Sequence, residues 1–531
     1  MRGQGKIVLI CCSTTLACQN FRGAITPHSL FDYPVIDNND DIDEKICCRF
    51  DKNKNRNDLL MQTDIIIWDE CFGNNRLLIE AVLNAMKNNR KIVWLFIGDT
   101  RQILPIVKWG TPHDIICANL TSSRLWKSFT TYFLTENKRL TTVRTSLMSD
   151  SMYSEFCNKQ IEFSKMLLIF GEGNSTNGMN HICNYIGNVD TEYKMESISK
   201  YQLPNTKYYK HDETEEIKSA VEWMFPNNEV INPAYNISRV ILAITNNRVD
   251  FWNDYIQGYN ESDLITLYSS DYFAEVDDDN GNLNNLLTHK VSDALSNSQI
   301  PQHCLKLKIN DICLIMRPMK AFDLATNERV RIYKITNKLI TIETLDSSCR
   351  RICIPRIRFN YLPTANTSYK MVRIQFPLRL CYAMTINKSQ GQSLDQVLLD
   401  ITEDSFSHGQ TYVAWSRVRS FDALRLIVNE KNLIDIDGNC IPIILNYLYP
   451  SVILKPPLTT NVLLPINDVI DYDSDSNTFE SETTNSLDEE KDSFISNDSS
   501  SKDFSNYTNE FNDFDSDNDD DELNDNLISV Y

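Results

Sequence analysis

Six short apolar runs set the terms on which this chain can fold: Ile7–Cys12, Ile65–Trp68, Ile92–Ile97, Val240–Ile244, Val397–Ile401 and Leu424–Val428. They are four to six residues long and rich in Ile, Val and Leu. Runs of this kind read as strands buried on both faces. Helical spacing lies between some of them. Leu77, Leu78, Ala81, Val82, Ala85 and Met86 fall on one face of a 3.6-residue period. Strands alternating with helices predict an α/β fold with a largely parallel sheet. Such sheets bind ligands at the carboxyl ends of their strands, so the polar residues that end each run are the ones to read.

The pattern changes between Met316 and Phe376, where short β-type segments (Val330–Ile335, Leu339–Thr344, Arg351–Pro355, Met371–Phe376) appear with little helix. This predicts two parallel-sheet domains with a small β-rich insertion in the second, at about 317–375. The expected boundaries are 1–145 for the first domain, 146–235 for a helical connection and 236–465 for the second domain. Residues 466–531 turn to Asp, Ser, Asn and Glu. Such a composition buries too little apolar surface to offset ordering entropy, and a disordered acidic tail is expected.

Charge follows the same division. The whole chain has a formal charge of -20, but residues 471–531 hold 20 acidic and 2 basic side chains. The body is therefore nearly neutral, and Ile312–Lys388 holds 14 basic against 4 acidic residues. That stretch is either a footprint for a polyanion or a solvated charged face. The 15 cysteines show no zinc-ligand spacing, and reduced, mostly buried thiols are expected. After Met1-Arg2 the run Ile7–Cys12 is short and is broken by Ser13, Thr14 and Thr15, so it reads as a strand rather than a leader. No run reaches the roughly 18 apolar residues of a membrane span.

Two strand ends have the makings of phosphate chemistry. Ile65-Ile-Ile-Trp-Asp69-Glu70 is an apolar strand closed by adjacent carboxylates, one suited to Mg²⁺ and one to orienting and deprotonating a water. Alone, an Asp-Glu pair after a strand is common. About 30 residues on, Trp94-Leu-Phe-Ile-Gly98-Asp99-Thr-Arg101-Gln102-Ile-Leu-Pro105 ends a second strand in polar groups, with Gln102 placed to sense a γ-phosphate or the attacking water. Two such ends suit neighbouring strands of one nucleotide-binding sheet.

From about Gly5 to Asn429 the chain resembles the petite-integration-frequency (PIF-type) helicases of superfamily one, most closely the branch found in Helitron transposons. The strings "IIIWDE", "GDTRQILPIV", "LTENKRL", "LLIFGEG", "ILAITNN", "PQHCLKLK", "AMTINKSQGQSL" and "HGQTYVAWSRV" occur in the family's order. The resemblance implies two RecA-like domains, the first incomplete, working as an ATP-dependent 5′→3′ DNA helicase with ATP and Mg²⁺. It implies that Asp69 holds Mg²⁺, Glu70 is the catalytic base, Gln102 reads the γ-phosphate, and Arg139 and Arg417 act as arginine fingers. Asp99, Gly391 and Gln392 would border the nucleotide. His28, Thr385, Asn387, Lys388 and Ser389 would lie on the DNA path. Single-stranded DNA and duplex or forked DNA are the implied partners, with no membrane. A nuclear location is implied by the family alone.

One departure is large. No G-x-x-x-x-G-K-[ST] string occurs anywhere in the sequence, and Gly3-Gln-Gly5-Lys6-Ile7 is a superficial echo without the hydroxyl. The expectation is a chain that starts at the family's second strand. Either the motor is competent with that loop encoded elsewhere, or this is a catalytically dead, DNA-binding remnant of a transposon or viral helicase. Smaller departures are Thr15 for Gly, Thr100 for Phe and Lys138 for Met. The acidic tail is expected either to solubilise or to fold back on the basic insertion as a mimic of nucleic acid.

Overall fold

The computed structural model describes residues 1–33, 48–87, 91–107, 110–134, 149–173, 183–187, 197–203, 206–275, 284–286, 300–346, 348–361, 369–436, 438–455 and 527–530. The strands and helices that position the site are labelled here in chain order. In the first half they are β1 (Val8–Cys12), β2 (Ile65–Asp69), α1 (Arg76–Ala85), β3 (Val93–Ile97) and β4 (Thr130–Tyr132). Next come α2 (Asp150–Glu172), β5 (Tyr208–Lys210), α3 (Thr214–Met224), β6 (Arg239–Ala243) and α4 (Asn246–Gln257). The last are β7 (Ala383–Thr385), β8 (Gln396–Asp400), α5 (Gln410–Trp415), β9 (Leu424–Val428) and β10 (Leu527–Val530).

The first sheet has the order β1-β2-β3-β10-β4, and every pairing in it is parallel. Large aromatics fill its core. Phe31 stacks on Trp68 with centroids 5.8 Å apart, and Trp94 stacks on Phe96 at 5.9 Å. Helix α1 starts where the Asn75 side chain accepts from Leu77 N, which satisfies a first-turn donor. It buries Leu78, Ile79, Val82 and Leu83 against this core. The 3.6-residue period holds, but the buried face is turned from the expected one: Ile79 and Leu83 join it, while Leu77, Ala81 and Ala85 are only half-buried.

The second sheet has the order β7-β6-β8-β9-β5 and is also wholly parallel. Its strands alternate between two cores. Val240, Leu242, Val397, Leu399, Leu424 and Leu426 face one core, which includes Phe163, Phe170 and Trp415 from α2 and α5. Ile241, Ala243, Leu398 and Ile427 face the other, with Val221, Met224, Trp252 and Ile256 from α3 and α4. Burial on both faces explains why these strands read as continuous apolar runs. The fold is α/β and RecA-like, with parallel sheets and packed helices.

Antiparallel strands extend beyond the insertion expected at 317–375, running from Ile265 to Leu380. Ile265–Tyr268 pairs with Cys304–Leu307. A five-stranded sheet takes the order Arg351–Pro355, Leu339–Thr344, Arg329–Ile335, Ile312–Ile315, Leu378–Leu380. The connection after residue 146 contains helices α2 and α3, but also the strands Cys183–Gly187, Ser197–Gln202 and β5. Of the acidic tail, Leu527–Val530 falls within the described residues and forms β10; positions 456–526 lie outside them.

Many of the insertion's basic residues are paired internally. Arg373 is buried on Asp271 at 2.6 Å, and Arg331 and Arg351 share Glu343. Arg329 is buried and donates to the carbonyls of Arg239 and Ile237. The local surplus of positive charge is therefore partly a structural device rather than a free footprint. The expected contact of the tail with this insertion involves residues outside the described set.

Candidate functional site

The register of the first sheet sets two carboxylate-bearing strand ends side by side. Cys12 of β1 pairs with Asp69 of β2, and Trp68 pairs with Phe96 of β3, so Asp69–Glu70 and Gly98–Asp99 emerge at the same edge. Close packing fixes that edge. A Cβ on Gly98 would stand 2.6 Å from the Phe72 ring, so only glycine lets the β3 end approach the turn after β2. That turn is sharp because Glu70 has φ +54°, a left-handed conformation uncommon for a side-chain-bearing residue. Ser13 Oγ donates toward the Glu70 carbonyl, and the Asn74 amide oxygen accepts from Trp68 Nε1 at 3.0 Å. Together these contacts hold a locally strained residue at a strand end, a combination found often at functional sites.

Burial raises the Asp69 carboxyl above the usual carboxylate range, and the Glu70 N–H, donating to Asp69 Oδ1 at 3.1 Å, offsets this in part. A carboxylate withdrawn from water in this way suits a cation. Among the described residues no group of three His, Cys, Asp or Glu side chains could hold a metal ion. Gln102 places its Oε1 in a buried position without a partner in the described structure. An acceptor left unsatisfied in this way has a free-energy cost that a ligand donor or a bound water would remove.

In the second domain, Thr385 ends β7 and opens the short turn Ile386–Ser389. Ser389 is buried and donates to the Ile386 carbonyl at 2.7 Å. Asn387 accepts from Gln410 Nε2 at 3.3 Å. Lys388 is half-buried, and its ammonium pKa is pulled down, first by desolvation and then by the neighbouring Arg379. Gly391 has φ +80° and open space where a side chain would begin. Gln392 Nε2 donates back to the Lys388 carbonyl at 3.4 Å. The whole segment is a tight turn whose residues are all buried or half-buried.

Arg417 is buried, and its guanidinium donates to the carbonyls of Val413 at 2.9 Å and Gln392 at 3.0 Å. In this arrangement it binds α5 to the Ser389–Gln392 turn. Arg139 lies outside the described residues. His28 sits on the short helix Pro27–Phe31, edge-on to Tyr33 at 5.7 Å, and desolvation lowers its pKa.

The two halves meet at residues that sequence reading quoted inside a motif but gave no role. The Tyr412 hydroxyl donates to Asp99 Oδ2 at 2.7 Å. His408 is buried with Nε2 2.9 Å from the Thr100 carbonyl, while its Nδ1 accepts from Tyr449 N at 2.8 Å. Arg101 pairs with Glu172 of α2 at 2.9 Å. Gly409 has φ +73° and lies against the backbone of Arg101 and Gln102. The segment Asp99–Gln102 is thus clasped by α2 and the start of α5. A second contact joins Gln19 to Glu328 of the antiparallel region at 2.8 Å. The only signal for Tyr412 and His408 in the sequence was the string "HGQTYVAWSRV" itself.

Residues 1–181 match the model of the PIF1-like helicase family. The "ATP-dependent DNA helicase Pif1" of Campylobacter jejuni is 40% identical over 75 residues, covering 13% of this chain and 17% of that protein. The "ATP-dependent DNA helicase PIF1" of Rattus norvegicus is 44% identical over 66 residues, covering 12% of this chain and 10% of the relative. These alignments span a small part of each relative's length. A solved structure described as "Crystal structure of Bacteroides Pif1 bound to ssDNA" superposes with a TM-score of 0.51 at 17% identity. That superposition covers 80% of this chain and 83% of the solved one, and it supports the fold.

Proposed function

Because the chain is of the PIF1 helicase type, we propose that it forms the catalytic-base and DNA-facing parts of an ATP-dependent DNA helicase motor that moves 5′→3′ on single-stranded DNA. The observation that carries this is the clasp. Asp69–Glu70 and Asp99–Gln102 emerge from adjacent parallel strands, and the second segment is gripped by α5 of the other domain through Tyr412 and Asp99. Chemistry at the first sheet is then mechanically joined to the turn Thr385–Gln392 that faces DNA.

In this reading Glu70 takes the proton from the attacking water, and its strained backbone aims the carboxylate from a fixed strand end. Asp69 holds Mg²⁺, which would neutralise charge developing on the phosphates. Gln102 reports the state of the γ-phosphate through the clasp. Arg417 holds the α5 end against the Ser389–Gln392 turn, and acting as a finger requires it to exchange those carbonyls for phosphate oxygens. Lys388 and the Thr385 hydroxyl contact backbone phosphates, while Ser389, buried with its hydroxyl on the Ile386 carbonyl, holds the shape of the turn instead of touching DNA.

Phosphate release by the purified full chain, with Mg²⁺–ATP and with or without single-stranded DNA, tests this. DNA-stimulated turnover that falls at least 100-fold in Glu70→Gln is expected. A second reading has its own observation, the absence of any G-x-x-x-x-G-K-[ST] string. It holds that the chain binds DNA without hydrolysing ATP. Salt-sensitive DNA binding with no turnover in the unaltered chain selects this reading over the first.

A further inference from the structure

Three thiols crowd the end of β1, and they differ in exposure. Cys11 and Cys12 close the strand and are fully buried, while Cys18, on the helical turn Thr15–Cys18, is half-buried. Successive strand residues point to opposite faces. Cys11 belongs to the aromatic core with Trp68 and Phe72, and Cys12 does not. Cys12 therefore turns the other way, toward the turn that carries Cys18. The Cys12 thiol donates a hydrogen bond to the Cys18 sulfur, and Cys18 Sγ donates to the Cys12 carbonyl at 3.9 Å. We propose that Cys12 and Cys18 are a redox-active thiol pair, which a hydroperoxide oxidises to a reversible disulfide.

The backbone around the pair is fixed. Ile25 N donates to the Ile10 carbonyl and Cys12 N to the Ile25 carbonyl, both at 3.3 Å, so the segment after β1 leaves the strand and returns to it. Within that segment Thr14 Oγ1 accepts from Ala17 N at 3.2 Å, and Cys18 N donates to the Thr14 carbonyl at 3.3 Å. Sulfurs in hydrogen-bond contact reach a bonding distance of about 2 Å by side-chain rotation, which leaves such a framework in place.

Exposure sets the order of the steps. Cys18 Sγ attacks a peroxide oxygen, the O–O bond breaks, and the Cys18 proton leaves with the other oxygen as water. Cys18 is then a sulfenic acid, and Cys12 is its resolving thiol. The Cys12 sulfur attacks Cys18 Sγ, the S–S bond forms, and the S–O bond breaks. The departing hydroxide takes the Cys12 proton as a second water. Two thiols and one hydrogen peroxide thus give one disulfide and two waters.

The new bond lies between two contacts. On one side Cys12 pairs with Asp69, and Ser13 N donates to the Asp69 carbonyl at 3.1 Å. On the other, Thr15 Oγ1 donates to the Thr326 carbonyl at 3.1 Å and Gln19 Nε2 to Glu328 at 2.8 Å. Oxidation therefore staples the carboxylate strand end to the segment that touches the antiparallel region.

The full chain, reduced and then treated with hydrogen peroxide, should lose the mass of two hydrogen atoms within its tryptic peptide Ile7–Arg22, and dithiothreitol should restore it. Fragmentation should join Cys12 to Cys18 and leave Cys11 open to alkylation after unfolding. Cys12→Ala should stop at the sulfenic acid, seen as a dimedone adduct on Cys18. Cys18→Ser should keep Cys12 reduced at about tenfold the peroxide dose that oxidises the parent. Amides of Ser13–Gln19 should exchange about tenfold more slowly in the oxidised chain, and unchanged exchange overturns the staple. A Cys18 that stays reduced in the folded parent, joins Cys11 or passes directly to the sulfinic acid overturns the pair, as does Cys12 oxidation that persists in Cys18→Ser. These readouts need no turnover, so the pair stands or falls apart from the helicase reading.

Discussion

Tyr412 and Asp99 join the two parallel-sheet domains through a 2.7 Å hydrogen bond between residues 313 positions apart. Burial and the nearby Asp99 charge push the Tyr412 phenol up, so it remains a donor throughout the accessible pH range. Tyr412→Phe keeps the ring and removes only that donor. A hydrogen bond to a charged group contributes about 1.5–3 kcal/mol, and a loss of this size in urea unfolding is expected. A variant as stable as the parent would show that the clasp does not hold the domains.

Gly409 stands against the same clasp. An alanine Cβ there would lie 2.8 Å from the Gln102 carbonyl carbon and closer still to the Arg101 carbonyl oxygen, at φ +73°. Left-handed backbone and steric overlap together predict a destabilisation of about 2–3 kcal/mol for Gly409→Ala. Gly391→Ala is the internal control, because its Cβ would meet open space and only the φ penalty of about 1 kcal/mol applies. Equal thermal shifts for the two variants would remove the steric argument.

The legible part of this fold was the part buried on both faces. Val240–Ile244 and Val397–Ile401 announced themselves because residues on either face meet a core. Ile265–Tyr268 and Cys304–Leu307 alternate buried with exposed positions over only four residues each, too short a pattern to separate from loop. Leu527–Val530 was masked by its acidic surroundings, since composition averaged over the tail dilutes four β-prone residues. Asp69, Glu70 and Asp99 were readable as strand ends. The engagement of Arg417 with backbone carbonyls was not, because a guanidinium's direction depends on the packing of α5 against a turn 25 residues away.

His408 gives the clasp a pH dependence. Its folded pKa is lowered to about 4, chiefly by burial, from an ordinary value of 6.5. The unfolded chain therefore binds the proton more readily, and stability is lost as pH falls from about 6.5 toward 4. Between pH 7 and pH 5 this one group should remove about 2 kcal/mol. Carboxylates titrate in the same range, so the readout is the stability difference between the parent and His408→Gln. That difference should shrink by this amount on moving to pH 5. A difference that is the same at both pH values would falsify the assignment.

Gln102 separates folding from function. Its Oε1 is buried without a partner in the described structure, so the folded chain gains nothing from that atom and bears its desolvation. Gln102→Leu has nearly the same length and removes the polar end. Unfolding should show no loss of stability, or a gain of about 1 kcal/mol, because an unsatisfied acceptor has been deleted. DNA-stimulated phosphate release, which the proposed function assigns to this site, should fall at least tenfold, because the group that reports the phosphate is gone. A structural role predicts the opposite pattern, with stability lost and turnover per folded molecule retained. Measuring both quantities on one preparation distinguishes the two, and an unaltered turnover number in Gln102→Leu removes Gln102 from the site.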